Sequence, residues 1–532
     1  MRGPIETPEA EDSNLNLAML LDIPASITPE ASALVGVRQE CYADLRRAAG
    51  GVAGTLAALG VRAGDRVGIF ATNSAEYVET LFGVAILGAV SVPMNCRARG
   101  DELAHLLADS GTRVLFSEER YRDLIAAAVP DGLPVVYLDG DYRDRLISAD
   151  ADAGEVVADV EDDDVAVILY TSGTTSLPKG VMLTHGALGG YVMGRIECAD
   201  GTDRGRMLLS APLHHVAAIS SLLSSIYSGR TVVVLPQFDA AAWLAAVEKH
   251  RVTSAFVVPT MLSRIISQPD IADRDLSSLE LVTYGAAPMP PTVIRRALEL
   301  FPASVGFSGA YGQTETTSTV TVLGPDDHRP PGSDQDVEAS LRRLASVGRA
   351  VDDVELRIVD EAGVPLPAGS IGEVQILTGR TMTGYWGASS TATARALDEE
   401  GWVHTGDLGY LDDDGYLFLG GRAGDLIIRG GENISPEDVE STLYEHPSVS
   451  EAGVVGVPDE EWGEAVAVAV VPRPGMNLTA EEVLAFCAER LPGYKRPDRV
   501  LVLEALPRTS TGKLLRRELL PLFIGTGLGA AG

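Results

Sequence analysis

Lysine is nearly absent from this chain. Of 42 basic residues in 532, only four are lysine: Lys179, Lys249, Lys495 and Lys513. Positive charge of any kind is short, since 75 acidic residues leave a net charge of −33. That balance excludes non-specific binding to nucleic acid. An anionic ligand therefore needs local Lys, Arg or metal charge to invert the field where it binds. Cysteine is scarce too. Cys41, Cys96, Cys198 and Cys487 are far apart, with neither zinc-type spacing nor a disulfide framework. A reduced, cytoplasmic compartment is the expectation. No apolar run is long enough to span a bilayer. The N-terminal MRGPIETPEAEDS has the character of neither a signal nor a transit peptide.

So few lysines make each one conspicuous, because Lys delivers a compact point charge where Arg presents a planar fork. Three of the four fall in Gly- or Pro-marked stretches, and Lys249 lies in an Ala/Glu-rich helical segment that reads as surface. Lys179 closes the most informative stretch, residues 165–183, VAVILYTSGTTSLPKGVML. Two apolar runs read as strands. Between them lie Thr171, Ser172, Gly173, Thr174, Thr175 and Ser176, then Pro178–Lys179–Gly180. Glycines let backbone N–H groups crowd an anion, and the hydroxyls add donors. That is equipment for holding a polyphosphate, weighed against a plain polar hairpin loop. It is not a Walker loop, because Lys179 precedes its glycine and a strand, not a helix, follows.

The composition, 45% hydrophobic and 22% charged, is globular, and the length implies more than one domain. Residues 1–30 read as polar and loose. Strands at 65–71, 89–94 and 112–117 alternate with helices at 39–59, 75–88 and 101–110, which implies a parallel sheet with helices on its faces. A second αβ series follows residue 205. From 346 to 419 short strands and Gly turns suggest a small β-barrel. The best boundary is GGRAGDLIIRG at 420–430. The expected fold is α/β: an N-terminal domain, 1–421, of two αβ subdomains plus the barrel, and a small mobile α+β C-terminal domain, 422–532.

Further motifs appear in order: PLHH at 212–215, YGAAP at 284–288, YGQTE at 311–315, GEV to MTGYW at 372–386, GWVHTGDLG at 401–409, GRAGDLIIRGGENISP at 421–436 and PRTSTGK at 507–513. With the 170–180 loop, this ordered set resembles the adenylate-forming enzymes: acyl- and aryl-CoA synthetases, peptide-synthetase adenylation domains and beetle luciferase. The resemblance covers nearly the whole chain. It implies that ATP converts a carboxylate to an acyl-adenylate, releasing pyrophosphate, and that a thiol then attacks. Implied cofactors are ATP, Mg²⁺ and CoA. A carboxylate must approach an already anionic α-phosphate, so fixed positive charge belongs there.

By the same resemblance, Thr171, Ser172, Gly173, Thr174, Thr175 and Lys179 hold the β- and γ-phosphates. Tyr311 lies against adenine, with Gly285, Ala286 and Ala287 leaving room for it. Thr314 bonds the α-phosphate and Glu315 binds the metal. Asp407 accepts the ribose hydroxyls and Arg422 meets ribose or phosphate. Lys513 bridges carboxylate and α-phosphate during adenylation. His215 stands at the mouth of the acyl pocket. Gly424 is the hinge, and Gly430, Gly431 and Glu432 line the pantetheine channel. Lys495 in LPGYKRP is left between a CoA phosphate contact and plain surface.

Several positions depart from the family pattern. Ser176 stands where Gly is usual, His214 where an aromatic residue is usual, and Gly424 where Asp or Lys is usual. Gly at a hinge frees the torsion but supplies no side chain to hold either state. Candidate acyl-pocket residues 217–221 and 306–310 are small or apolar. They favour a hydrophobic alkyl, aryl or polycyclic acid over an amino acid. The implied partners are the acid, ATP and CoA, the alternative acceptor being a carrier protein or partner enzyme. Lys513→Ala is expected to slow adenylation roughly 10²–10³-fold, the scale of losing one charge-stabilising group. ATP–pyrophosphate exchange checks this, and near-normal exchange contradicts the role.

Overall fold

The computed structural model describes residues 15–129, 132–140, 142, 157–171, 178–329, 342–387, 390–422, 424–430, 432–459, 461–508 and 514–525. They fall into two compact units. The first takes residues 1–237, 314–317 and 379–393, and the second takes 238–313, 318–378 and 394–532.

The first unit is built on a seven-stranded mixed sheet. Its order is Gly384–Tyr385, Lys179–Thr184, Val165–Thr171, Val90–Pro93, Arg66–Phe70, Val114–Ser117 and Val135–Tyr137. The last five run parallel, and the first two are added antiparallel. Helices Tyr42–Ala58, Ala75–Ile86 and Gly100–Ser110 connect these strands as the αβ alternation predicts. Phe70, Val92, Leu103, Leu107, Leu115 and Ile168 form one core cluster of strand and helix side chains. Side-chain caps mark helix starts: Ser74 accepts from the Tyr77 N–H and Thr184 from the Ala187 N–H.

Of the segment expected to be loose, residues 1–14 lie outside the described residues and residues 15–30 are ordered. Met19–Ile27 is a helix with Leu20, Leu21 and Pro24 buried. Two leucines on one face outweigh the polar flanks, and an Asp22–Arg46 ion pair ties the helix to its neighbour. The Leu17 N–H donates to His185 Nδ1 at 3.1 Å. His185 is fully buried, and its Nε2 has no hydrogen-bond partner among the described residues.

In the second unit, Ser254–Val257, Leu281–Gly285 and Gly306–Gln313 pair in parallel, and Ser318–Leu323 and Arg349–Ala350 continue antiparallel. Where a small β-barrel is expected, Val354–Val359, Gly372–Thr378, Trp402–Leu411 and Leu417–Arg422 pair antiparallel in that order. Val354, Ile358, Val374, Ile376 and Val403 pack over Val320 as their core.

The C-terminal sheet shows the period-two rule plainly. In Gly463–Pro472, Val466, Val468 and Val470 enter one core with Val454, Val483 and Cys487, while Ala465, Ala467 and Ala469 enter another with Leu519 and Phe523. Both faces are covered by helices, so the strand is apolar throughout. Thr479 and Glu482 form a capping box at the start of Ala480–Arg490. Among the described residues no helix is long and apolar enough to cross a membrane.

Burial of His185 lowers its pKa from 6.5 to about 4, opposed by Asp164 and Asp162. The folded state therefore holds a neutral ring that the unfolded chain would protonate. The stability this ring contributes is complete above about pH 6.5 and is lost as pH falls toward 4, on the order of 3 kcal/mol in all. His185→Gln is expected to flatten the loss of unfolding free energy over that window, read by denaturant titration at several pH values. An unchanged slope contradicts the assignment.

Candidate active site

The phosphate-type loop grows from a hairpin in the first unit. Val165–Thr171 and Lys179–Thr184 pair antiparallel, with Thr171 opposite Lys179. Both loop ends are anchored. The Tyr170 hydroxyl donates to Asp109 Oδ2 at 2.6 Å, and His105 Nε2 lies 3.2 Å from the Pro178 carbonyl. Ser172, Gly173, Thr174 and Thr175 lie outside the described residues. Lys179 is half-buried, its Nζ 5.4 Å from the centre of the Tyr385 ring. The Tyr385 hydroxyl in turn donates to Glu315 Oε1 at 2.9 Å. Tyr385 thus stands between a cation and a carboxylate, both expected at the polyphosphate. Thr314 and Glu315 occupy the 3₁₀ turn Thr314–Thr316.

The PLHH turn is also in this unit. Asn73 locks it, accepting from the Leu213 N–H at 3.0 Å and donating to the Ala211 carbonyl at 2.9 Å. His215 is the N-cap residue of helix Val216–Tyr227, and its ring lies 4.1 Å from that of His214. Burial pushes the His215 pKa down to about 3. His214 is driven well below its usual value by burial, then by His215 and Arg97. Both rings are therefore neutral at physiological pH. Ser220 and Ser221 turn their hydroxyls back onto the carbonyls of Val216 and Ala217, at 2.8 and 2.7 Å. These hydroxyls bond back within their own helix.

The second unit holds the other group of expected residues. Gly285 ends its strand where a Cβ would stand 2.4 Å from the Ala310 carbonyl oxygen, so only glycine fits. Ala286 follows in the left-handed region, φ +67°, a costly conformation for a residue with a Cβ. Ala287 comes next in the turn. Tyr311 and Gln313 are two residues apart on one strand, so both side chains face one way. Gly312 between them faces the Ser318 carbonyl oxygen, which a Cβ would meet at 1.8 Å.

Tyr311 and Gln313 converge on Asp407. The Tyr311 hydroxyl donates to Asp407 Oδ2 at 2.7 Å, and Gln313 Nε2 donates to the same oxygen at 2.8 Å and to the Thr405 carbonyl at 3.1 Å. Arg422 Nε sits 3.0 Å from Oδ1. The Asp407 N–H donates to Thr405 Oγ1, which donates to the Val374 carbonyl. Asp407 is 7% exposed and held from three sides. Burial, then Asp407, raises the Tyr311 phenol pKa well above its usual value, so it stays a donor.

The expected acceptor-side residues scatter more. Gly424 lies within the turn closed by Asp425 N–H to the Arg422 carbonyl, and a Cβ there meets nothing within 4 Å. A side chain would fit, so glycine is not sterically required. Gly430 has φ +60° and donates to the Trp462 carbonyl, and Glu432 is exposed. Lys495 pairs with Asp438 at 2.6 Å, which gives it a surface partner. Gly431 and Lys513 lie outside the described residues. Sequence reasoning missed Gln313 and Tyr385. Each sits inside a quoted motif, and the i, i+2 spacing from Tyr311 was the available signal for Gln313.

The chain matches known proteins along nearly its whole length. The profile of the AMP-binding enzyme family matches residues 22–386, and that of its C-terminal domain matches residues 438–513. A feruloyl-CoA synthase of an Amycolatopsis species is 38% identical over 496 residues, covering 93% of this chain and 96% of its own. A fatty acid–[acyl-carrier-protein] ligase of Streptomyces coeruleorubidus is 34% identical over 493 residues, 91% of this chain and 92% of its own. Among solved structures, an anthranilate CoA ligase in complex with anthranoyl-AMP superposes with a TM-score of 0.84 at 27% identity, covering 95% of this chain and 97% of its own.

Asp407→Asn replaces an anionic acceptor with an amide that must turn a donor toward Tyr311, Gln313 or Arg422. Loss of charge-assisted hydrogen bonds is expected to weaken AMP binding about 10–100-fold. Titration calorimetry checks this, and an unchanged dissociation constant contradicts a ribose role for Asp407.

Proposed function

The chain belongs to the AMP-binding, adenylate-forming enzyme family, and from that premise we propose that it activates a hydrophobic carboxylic acid as acyl-AMP and transfers it to CoA. The protein is an acid–thiol ligase of the AMP-forming type. In the first half-reaction a carboxylate oxygen attacks the α-phosphorus of ATP and pyrophosphate leaves. In the second, the CoA thiol attacks the acyl carbonyl, the thiol proton is lost, and AMP departs. The observation that carries this reading is the Asp407 site, a buried carboxylate whose orientation Tyr311, Gln313 and Arg422 set in advance. Such a rigid acceptor suits a vicinal diol.

The remaining roles follow the resemblance. Thr171, Ser172, Gly173, Thr174, Thr175 and Lys179 take the β- and γ-phosphates. Thr314 takes the α-phosphate, Lys513 the reacting carboxylate, and Gly285–Ala287 the adenine. Gly430, Gly431 and Glu432 take pantetheine. The division between catalytic domains is placed at residues 421 and 422 with Gly424 as hinge, a position that falls between the two family profiles.

Mg²⁺ fits the donor set. Glu315 offers a hard carboxylate whose orientation Tyr385 fixes, and no group of three His, Cys, Asp or Glu suited to a metal exists among the described residues. One carboxylate plus substrate phosphates is the arrangement Mg²⁺ favours. When bound, the ion supplies charge neutralisation on the polyphosphate.

Support for a hydrophobic acid comes from helix Val216–Tyr227. Ser220 and Ser221 bond back to carbonyls of their own helix, and the neutral His215 begins it, beside the small or apolar Ala217, Ala218 and Ile219. The relatives' names, a feruloyl-CoA synthase and a fatty acid ligase, point the same way. The second of these favours one alternative acceptor, a carrier protein. An acid panel including ferulate and fatty acids tests both readings, with pyrophosphate release and mass detection of the product. Acyl-CoA from an aryl or alkyl acid is expected. Acyl-AMP that accumulates in the presence of CoA selects the carrier, and preference for an amino acid contradicts the hydrophobic pocket.

A further inference from the structure

The turn that carries Thr314 and Glu315 is gripped by a second segment of the first unit, residues 379–386. Arg380 is 4% exposed, and its NH1 donates to the carbonyls of both Thr316 and Thr317 at 3.3 Å. The Thr317 hydroxyl donates back to the Arg380 carbonyl at 2.5 Å. The Met382 N–H donates to the Glu315 carbonyl at 2.9 Å, and the Tyr385 hydroxyl holds the Glu315 carboxylate. The guanidinium carbon lies 5.2 Å from the ring centre of Tyr191, on the helix His185–Met193 that follows the phosphate hairpin.

This grip holds a conformation the sequence resists. Thr317 is β-branched and fully buried, yet its φ is +50°, in the left-handed region. Ser318 follows at φ +80°, so the strained backbone runs directly on from the turn that carries Thr314 and Glu315. A residue in such a conformation persists only where its surroundings over-determine it. Arg380 satisfies two carbonyls of this turn at once.

We propose that Arg380 is a positioning residue for adenylation: it clamps the strained Thr316–Thr317 backbone so that Thr314 and Glu315 are presented in place before nucleotide arrives. The assignment rests on the reading of Thr314 and Glu315 as the α-phosphate and metal residues.

The test compares wild type, Arg380→Gln, and Arg380→Gln combined with Thr317→Gly. Glycine adopts positive φ without cost, so it relieves the strain at position 317 and lessens the need for the clamp. Two readouts are used. One is pyrophosphate release with whichever acid the wild type turns over best. The other is Mn²⁺ affinity in the presence of α,β-methylene-ATP, read by electron paramagnetic resonance, which requires no acid. Arg380→Gln is expected to lower kcat and weaken Mn²⁺ binding, each about 10–100-fold, with the acid KM little changed, the scale of a small misplacement of reacting groups. Thr317→Gly is expected to restore most of both losses. Wild-type values in Arg380→Gln overturn the proposal, as does a loss that Thr317→Gly leaves untouched. If Arg380→Gln does not fold, Arg380→Lys serves. It keeps the buried charge but loses the planar fork, and it is expected to lose at least about threefold in Mn²⁺ affinity. Wild-type affinity there also overturns the clamp. A wild type that releases no pyrophosphate with any acid defeats the functional reading instead, and the Mn²⁺ titration still decides on Arg380.

Discussion

A carboxylate and a triphosphate repel each other, and this protein brings them together on a chain of net charge −33. The constraint is electrostatic, and it governs where the few cations go. Lys179 rests over the Tyr385 ring and Arg422 is pinned on Asp407, while Arg380 is buried against backbone carbonyls. None of these is a loose surface charge. Fixing them in advance means that little reorganisation is left for the moment of reaction, where it would raise the barrier.

The fixing is done mostly by neutral groups. Tyr385 orients Glu315, while Tyr311 and Gln313 orient Asp407. The Tyr311 phenol suits the task because burial and the adjacent carboxylate hold its pKa high and keep it protonated. A hydrogen-bonded carboxylate keeps its charge while losing its freedom to rotate. The backbone contributes by the same logic. Gly285 and Gly312 sit where a Cβ would strike a carbonyl oxygen, and Ala286 and Thr317 hold positive φ without being glycine. Among the described residues, four non-glycine residues hold positive φ: Ala286, Thr317 and Ser318 lie in or just beyond stretches the resemblance assigns to nucleotide, and Arg251 caps a helix elsewhere.

Much of the fold was legible in the sequence because the period-two and helical patterns are local. The alternation of Val and Ala in Gly463–Pro472 maps directly onto two cores. The helix at Met19–Ile27 was not legible. Its apolar face is only two leucines wide, Pro24 lies inside it, and its anchors, His185 and Arg46, come from distant chain. The site shows the same division. Asp407, Glu315 and Lys179 stand in ordered motifs and could be named. Tyr385 and Arg380 act through partners 63 to 70 residues away, so no window along the chain exposes them, whereas Gln313, whose partner is 94 residues away, offered only its i, i+2 spacing from Tyr311. Gly424 was singled out as a departure, and the space around it shows that no packing demand put glycine there.

The account stands on a mixed carboxylic–phosphoric anhydride forming before the thiol acts. Turnover with acid labelled with ¹⁸O in both carboxylate oxygens, followed by mass analysis of the nucleotide, tests this most directly. Attack of the carboxylate on the α-phosphorus, then loss of AMP to the thiol, predicts one labelled oxygen in AMP and none in pyrophosphate. Unlabelled AMP, or label in inorganic phosphate, would contradict it.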